Sequence, residues 1–165
     1  HLGGGGPPSP AAPMIVSVGD PVKRDDPSAG VMSVVGKKYV SYKVTVHTTL
    51  PGFARPSFQV RRRFRDFVLL ADRLATTHRG YFIPPRPEKT VVEGSMSATK
   101  EFVEARTAAL DAYLKKLAAH PVLRSSMELR LFLEIDGDLA NSPMWAPAPA
   151  EEEAEAGGGG GGGGG

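Results

Sequence analysis

Cysteine is absent from the 165 residues. That excludes disulfides, cysteine-ligated zinc and a thiol nucleophile. No apolar run approaches the ~20 residues a membrane-spanning helix needs, and no charged-then-apolar leader opens the chain. His47, His78 and His120 are scattered, with no Ser/His/Asp or metal-ligand spacing around them. Asp20, Asp25 and Asp26 fall in a turn-rich stretch, where acids are usually solvated. With no catalytic constellation, neither an enzyme nor a cofactor or metal is expected, and a binding module is the preferred class.

Apolar periodicity is also missing at both ends, and there is no internal repeat. Residues 3–13 are Gly, Pro, Ser and Ala, and residues 140–165 run through Pro and Ala into Glu-Glu-Glu-Ala-Glu-Ala and nine glycines. Such segments bury too little surface to offset their ordering entropy. The expected organisation is a flexible segment 1–13, one α+β domain over residues 14–137, and a low-complexity tail over 138–165. A chain that begins with His1 reads as a fragment of a longer protein. Charge is divided along the same boundary. The whole chain carries 20 basic and 18 acidic residues. Glu151, Glu152, Glu153 and Glu155 supply four of those acids, leaving twenty basic against fourteen acidic side chains elsewhere, a net of +6. A basic domain beside an acidic tail points to an anionic partner: nucleic acid, a phospholipid surface or an acidic protein.

Within the domain, the apolar pattern changes period once. Met14-Ile15-Val16-Ser17-Val18 reads as a strand ended by Gly19-Asp20-Pro21. Val40, Tyr42, Val44 and Val46 alternate with Ser41, Lys43, Thr45 and His47, the period of a half-buried strand. After the Pro51-Gly52 turn, Ser57 to Arg63 reads as a third strand, so an antiparallel meander is expected. Phe64, Phe67, Val68, Ala71, Leu74 and Ala75 then fall at helical steps, with Gly80 ending the helix. Pro84, Pro85 and Pro87 hold the next stretch extended. A second helix is expected from about Ser97, as N-cap, to His120, with Phe102, Val103, Leu110, Tyr113, Leu114 and Leu117 on its apolar face. A short third one has capping-box spacing from Ser125 to Glu128, with Met127, Leu131 and Ile135 along one side. Strands first and helices after define a three-stranded antiparallel sheet packed on a helical layer.

The strand-to-helix corner Arg61-Arg62-Arg63-Phe64-Arg65-Asp66-Phe67 concentrates four arginines. A guanidinium donates two parallel hydrogen bonds to an oxyanion, which suits this corner to a phosphorylated ligand. Alternation puts Arg61 on Arg63's side and turns Arg62 away. Arg62 and Arg65 read as solvated charge or as attraction to an anionic membrane, worth ~1 kcal/mol each near such a surface. Phe67 reads as core. Arg106 falls on the apolar stripe of the second helix, where an unpaired guanidinium is costly. It either pairs internally, with Asp66 or Asp72, or snorkels outward, or serves a ligand. Lys89 follows the proline-stiffened stretch and is either an ordinary loop lysine or a held ligand group.

Three strands, then Arg-Arg-Phe-Arg-Asp-Phe, an extended Pro-Pro-Arg-Pro-Glu-Lys, and a helix reading Glu-Ala-Arg-Thr-Ala-Ala-Leu-Asp-Ala-Tyr-Leu resemble a phox homology (PX) domain over about residues 14–137. Glu101-Phe102-Val103-Glu104 and His120-Pro121 make the chain most similar to the sorting nexins that carry a BAR domain. The resemblance implies roles position by position. Arg63 would bind the 3-phosphate of phosphatidylinositol 3-phosphate, and Phe64 would pack on the inositol ring. Lys89 would contact the 1-phosphate, and Arg106 the 4- and 5-hydroxyls. The aromatic is often tyrosine in the family, and Phe64 keeps the ring face without the hydroxyl. The resemblance also implies a peripheral protein on the cytosolic face of endosomes, serving cargo sorting with retromer components or another sorting nexin. A BAR domain needs some 200 further residues of helix, which this chain does not contain.

Around that site, Arg62, Arg65, Arg86, Val91, Val92 and Met96 are candidates for membrane contact, with Phe82 and Ile83 beside them. The apolar members serve equally well to close over the core. Pro84-Pro85-Arg86-Pro87 also matches an SH3-ligand pattern. The rival reading is RNA or another polyanion, gripped by arginines interleaved with Phe64 and Phe67. However, the element runs straight into an amphipathic helix, and no nucleic-acid motif surrounds Tyr39, Tyr42 or Phe58, so nucleic acid is not the expected partner.

Overall fold

Alternation sets the sheet. In the computed structural model, which describes residues 12–27, 36–88 and 99–146, the strands are β1 (Met14–Asp25), β2 (Lys38–Thr48) and β3 (Ser57–Arg63). They pair antiparallel in the order β1-β2-β3. The register aligns Val16 with Val46, Val18 with Val44, and Val44 with Val60. Met14, Val16, Val18, Tyr42, Val44, Val46, Phe58 and Val60 are consequently all buried. Each such side chain contributes about 1.5–3 kcal/mol when fully withdrawn from water.

β1 does not stop at Gly19-Asp20-Pro21. The register shifts between Gly19 and Val22, Asp20 takes φ 46°, and pairing resumes through Asp25. The turn-forming residues make a bulge inside a strand, and the extra residue bends the strand while pairing continues on both sides. The β2–β3 connection, residues 49–56, contains the expected Pro51-Gly52 turn, with Gly52 at φ 94°, a region that L side chains avoid.

The helical layer comprises α1 (Phe64–Thr77), α2 (Lys100–Ala119) and α3 (Met127–Glu134), with a single 3-10 turn at Leu123–Ser125. α1 buries Phe67, Leu70, Ala71 and Leu74. α2 starts later than the expected Ser97. Its cap is Thr99, whose side chain accepts from the Phe102 N–H, while residue 97 lies outside the described residues. α2 packs on β1, and the Val18 N–H donates to Asp111 Oδ1 at 2.8 Å. α3 is capped by Ser126 rather than Ser125, and its hydroxyl accepts from the Leu129 N–H. The helix buries Leu129, Phe132 and Leu133; of the expected face, Ile135 is buried and Met127 is exposed. The packed chain also runs past Gly137. Leu139 and Trp145 are 0% and 3% exposed, and the Arg73 guanidinium lies 3.8 Å from the centre of the Trp145 ring.

Candidate functional site at the strand-to-helix corner

β3 delivers its three arginines to alternate faces, and each meets a different environment. Arg62 shares the core face with Phe58 and Val60 and is 1% exposed. This overturns its expected place in solvent or at a membrane. Its Nε donates to the Phe132 carbonyl at 2.8 Å and its Nη2 to the Ile135 carbonyl. Nη1 donates to the Gly137 and Arg61 carbonyls at 3.1 and 2.8 Å. The side chain therefore caps the C-terminal end of α3, where carbonyls lack intrahelical partners and the dipole favours a cation. Burial works against the charge and lowers the pKa, with Asp66 the largest opposing influence. Alternation from Phe58 and Val60 already placed Arg62 on this face; what sequence did not show was a set of carbonyls 70 residues away able to hold it.

Asp66 secures the corner. Its Oδ2 accepts from the Arg63 N–H at 2.7 Å, which satisfies a donor at the start of α1. Its Oδ1 is buried without a hydrogen-bond partner. Burial raises the Asp66 pKa, opposed by that backbone bond and by Arg62 and Arg65.

Arg63 lies on the other face. Its guanidinium stacks 3.8 Å from the Tyr39 ring centre and pairs with the buried Asp26 at 3.3 Å. It faces a cavity of about 440 Å³ whose lining includes Arg24, Arg61, Arg65, Ser41 and Asp138. Arg61 is held there by Asp20, which accepts with both its carboxylate and its carbonyl. Arg65 pairs with Asp138 at 3.3 Å and is partly solvated. Arg24 pairs with Tyr39 across β1 and β2; Arg24 escaped the sequence reading because the bulge hid this part of β1, and Tyr39 entered it only as a candidate for base stacking.

Arg106 is held differently. Its guanidinium is 3.9 Å from the centre of Phe64 and 4.5 Å from that of Phe102. Neither Asp66 nor Asp72 pairs with it, and no acid does among the described residues. Burial lowers its pKa, with Tyr42 opposing. The structure thus brings Arg106 onto Phe64, while Arg63, next to Phe64 in the chain, turns into the arginine-lined cavity, whose lining does not include Arg106. Arg86 is exposed, and so is Phe82, at 85%. Lys89, Val91, Val92 and Met96 lie outside the described residues.

A sheet meander on a helical layer, with arginines and an aromatic ring gathered at one corner, defines a small α+β binding module. The chain belongs to the PX domain family, whose model matches residues 50–136. Over 125 residues it is 50% identical to sorting nexin 2A of Arabidopsis thaliana, which covers 75% of this chain and 21% of that protein. Over 105 residues it is 43% identical to human sorting nexin-2, covering 58% of this chain and 20% of that protein. The chain spans about a fifth of the length of these relatives. Two solved structures share the fold. A designed CISK-PX domain matches with TM-score 0.58 and 25% identity, over 73% of this chain and 99% of that one. The mouse SNX19 PX domain with bound sulphate ion matches with TM-score 0.55 and 26% identity, over 74% and 97%. No helix among the described residues is long and apolar enough to cross a membrane.

Proposed function

We propose that this domain recruits its protein to membranes by binding a phosphoinositide headgroup, phosphatidylinositol 3-phosphate first among them. The observation that carries the reading is Arg106: a half-buried guanidinium on the Phe64 ring, without an acidic partner among the described residues. Such a group is costly to keep unless a ligand completes its hydrogen bonds. An inositol ring offers a sugar face for Phe64 and neighbouring hydroxyls for the Arg106 fork. Arg63, one residue before Phe64, supplies the bidentate donor for a phosphate, and Lys89 a further cation. The sulphate ion in the SNX19 PX domain supports an oxyanion ligand.

On this reading the protein is peripheral on the cytosolic face of endosomes and acts in cargo sorting, with retromer components or another sorting nexin as partners. One headgroup site gives weak attachment, so stable recruitment needs a second contact or dimerisation. The test is vesicle co-sedimentation across a phosphoinositide panel for wild type, Arg63→Ala and Arg106→Ala. Each variant is expected to lose at least about tenfold in affinity for phosphatidylinositol 3-phosphate vesicles, the equivalent of ~1.4 kcal/mol. Unchanged binding in both would overturn the site. Tight single-stranded RNA binding without headgroup selectivity would overturn the function.

A further inference from the structure

The arginine-lined cavity has donors beyond those a single phosphate on Arg63 would engage. Arg24 donates to the Ser41 hydroxyl at 3.3 Å and has no acidic partner among the described residues. Arg61, Arg63 and Arg65 each hold one carboxylate, from Asp20, Asp26 and Asp138. A guanidinium has five N–H donors; Arg61 also gives Nη1 to the Asp20 and Ser41 carbonyls, whereas the one carboxylate held by Arg63 and by Arg65 leaves those two forks incompletely used. The groups already seated here are carboxylates, and further carboxylates fit the same forks.

The chain carries such groups within reach. Gly137, Asp138 and Asn141 line the cavity. The backbone then turns along α1 until Trp145 stacks on Arg73. Arg65 and Arg73 are eight residues apart on α1, about 12 Å along its axis. Five residues from Ala146 to Glu151 span at most ~17 Å, and nine to Glu155 at most ~31 Å. Glu151, Glu152, Glu153 and Glu155, which lie outside the described residues, are therefore within reach of the cavity that Gly137, Asp138 and Asn141 line. The charge complementarity is large: these four acids reduce a net of +6 to +2.

We propose that the cavity is a docking site for a carboxylate-rich peptide, and that its occupant in this protein is the chain's own segment 151–155. Docked there, the segment competes with a phosphate for Arg63, a consequence that rests on the headgroup reading above. Tethering by a short link gives an effective concentration on the order of 1 mM. A contact with a dissociation constant on the order of 0.2 mM then leaves about a sixth of molecules open, weakening apparent vesicle affinity roughly sixfold.

The test compares the full chain with a variant in which Glu151, Glu152, Glu153 and Glu155 are all replaced by Gln. Two measurements are made: the arginine Nε resonances of Arg24, Arg61 and Arg65, and binding to phosphatidylcholine vesicles containing either phosphatidylinositol 3-phosphate or phosphatidylserine. Expected are shifted Nε resonances and a roughly sixfold gain on the phosphoinositide vesicles in dilute salt, disappearing near 0.5 M as screening shortens. In an Arg24→Gln background the gain should shrink. Unmoved Nε resonances overturn docking, whether affinity is unchanged or rises equally on both vesicle types; the latter would show the tail acting through net charge alone. Shifted resonances with no phosphoinositide binding by either chain would uphold docking and remove the headgroup reading.

Discussion

Replacing Arg62 should cost more stability than replacing any other arginine of the corner. Arg62→Met keeps most of the apolar stem but removes donors to four carbonyls, those of Arg61, Phe132, Ile135 and Gly137. The Phe132 and Ile135 bonds are fully buried, so water cannot easily replace them, and an orphaned acceptor costs about 1–3 kcal/mol. The other two are partly accessible and count for less. Asp66, buried and raised in pKa, also loses its nearby cation. Together these effects place the loss at about 3–5 kcal/mol, the range for breaking a buried charged network. For a folded unit of this size that is roughly 10–20 °C in Tm. The single tryptophan is buried, so urea titrations followed by Trp145 fluorescence report the change directly. Arg65→Ala provides the comparison, because its ion pair is partly solvated and such pairs contribute about 0–1 kcal/mol. A loss below ~1 kcal/mol for Arg62→Met would refute the argument that the side chain closes the end of α3.

Two further perturbations follow from the same geometry. Burial raises the folded-state pKa of Asp66 above the ordinary carboxylate value, so its contribution is fully present below the unfolded pKa and is lost as pH rises through the folded one. The urea midpoint of wild type should therefore gain on that of Asp66→Asn as pH falls from 7 toward 4; parallel curves would show that Asp66 does not titrate in this window. A chain ending at Gly137 loses the buried Leu139 and Trp145 and should be less stable by about 3–5 kcal/mol, as for removal of one large buried aromatic. Equal midpoints in urea would place the domain boundary at Gly137 after all.

What the sequence made legible was whatever shows as a period. β2 alternates because one of its faces is buried and the other is not, and α1 carries its stripe on three- and four-residue steps. The Arg-Arg-Phe-Arg-Asp-Phe corner stood out because a strand pattern gives way there to a helix. The misses are equally physical. Gly19-Asp20-Pro21 carries turn chemistry, and a bulge uses the same residues as a turn, so only the pairing that resumes at Val22 distinguishes them. Ser125 and Ser126 are both competent caps, and only the bond that the Ser126 hydroxyl accepts from the Leu129 N–H tells them apart; which face of α3 is buried is set by what the helix packs against, not by its cap. Trp145, with Met144 just before it, stands among prolines and alanines and shows no period; its ring lies against Arg73 of α1. The environments of Arg62, Arg63 and Arg106 depend on partners distant in the chain, which composition cannot supply.

The bond from Val18 to Asp111 also affects how the molecule behaves among its own copies. β1 is an outer strand, and an outer strand normally offers a row of unused amides and carbonyls on which another chain can pair. Here an aspartate of α2 takes one of those amides, the helix packs against the strand, and the bulge at Asp20 twists the remainder out of line. A flat template is thereby removed from a domain whose work would concentrate many copies on one surface. The contact between α2 and β1 thus also guards this edge of the sheet against pairing with another copy.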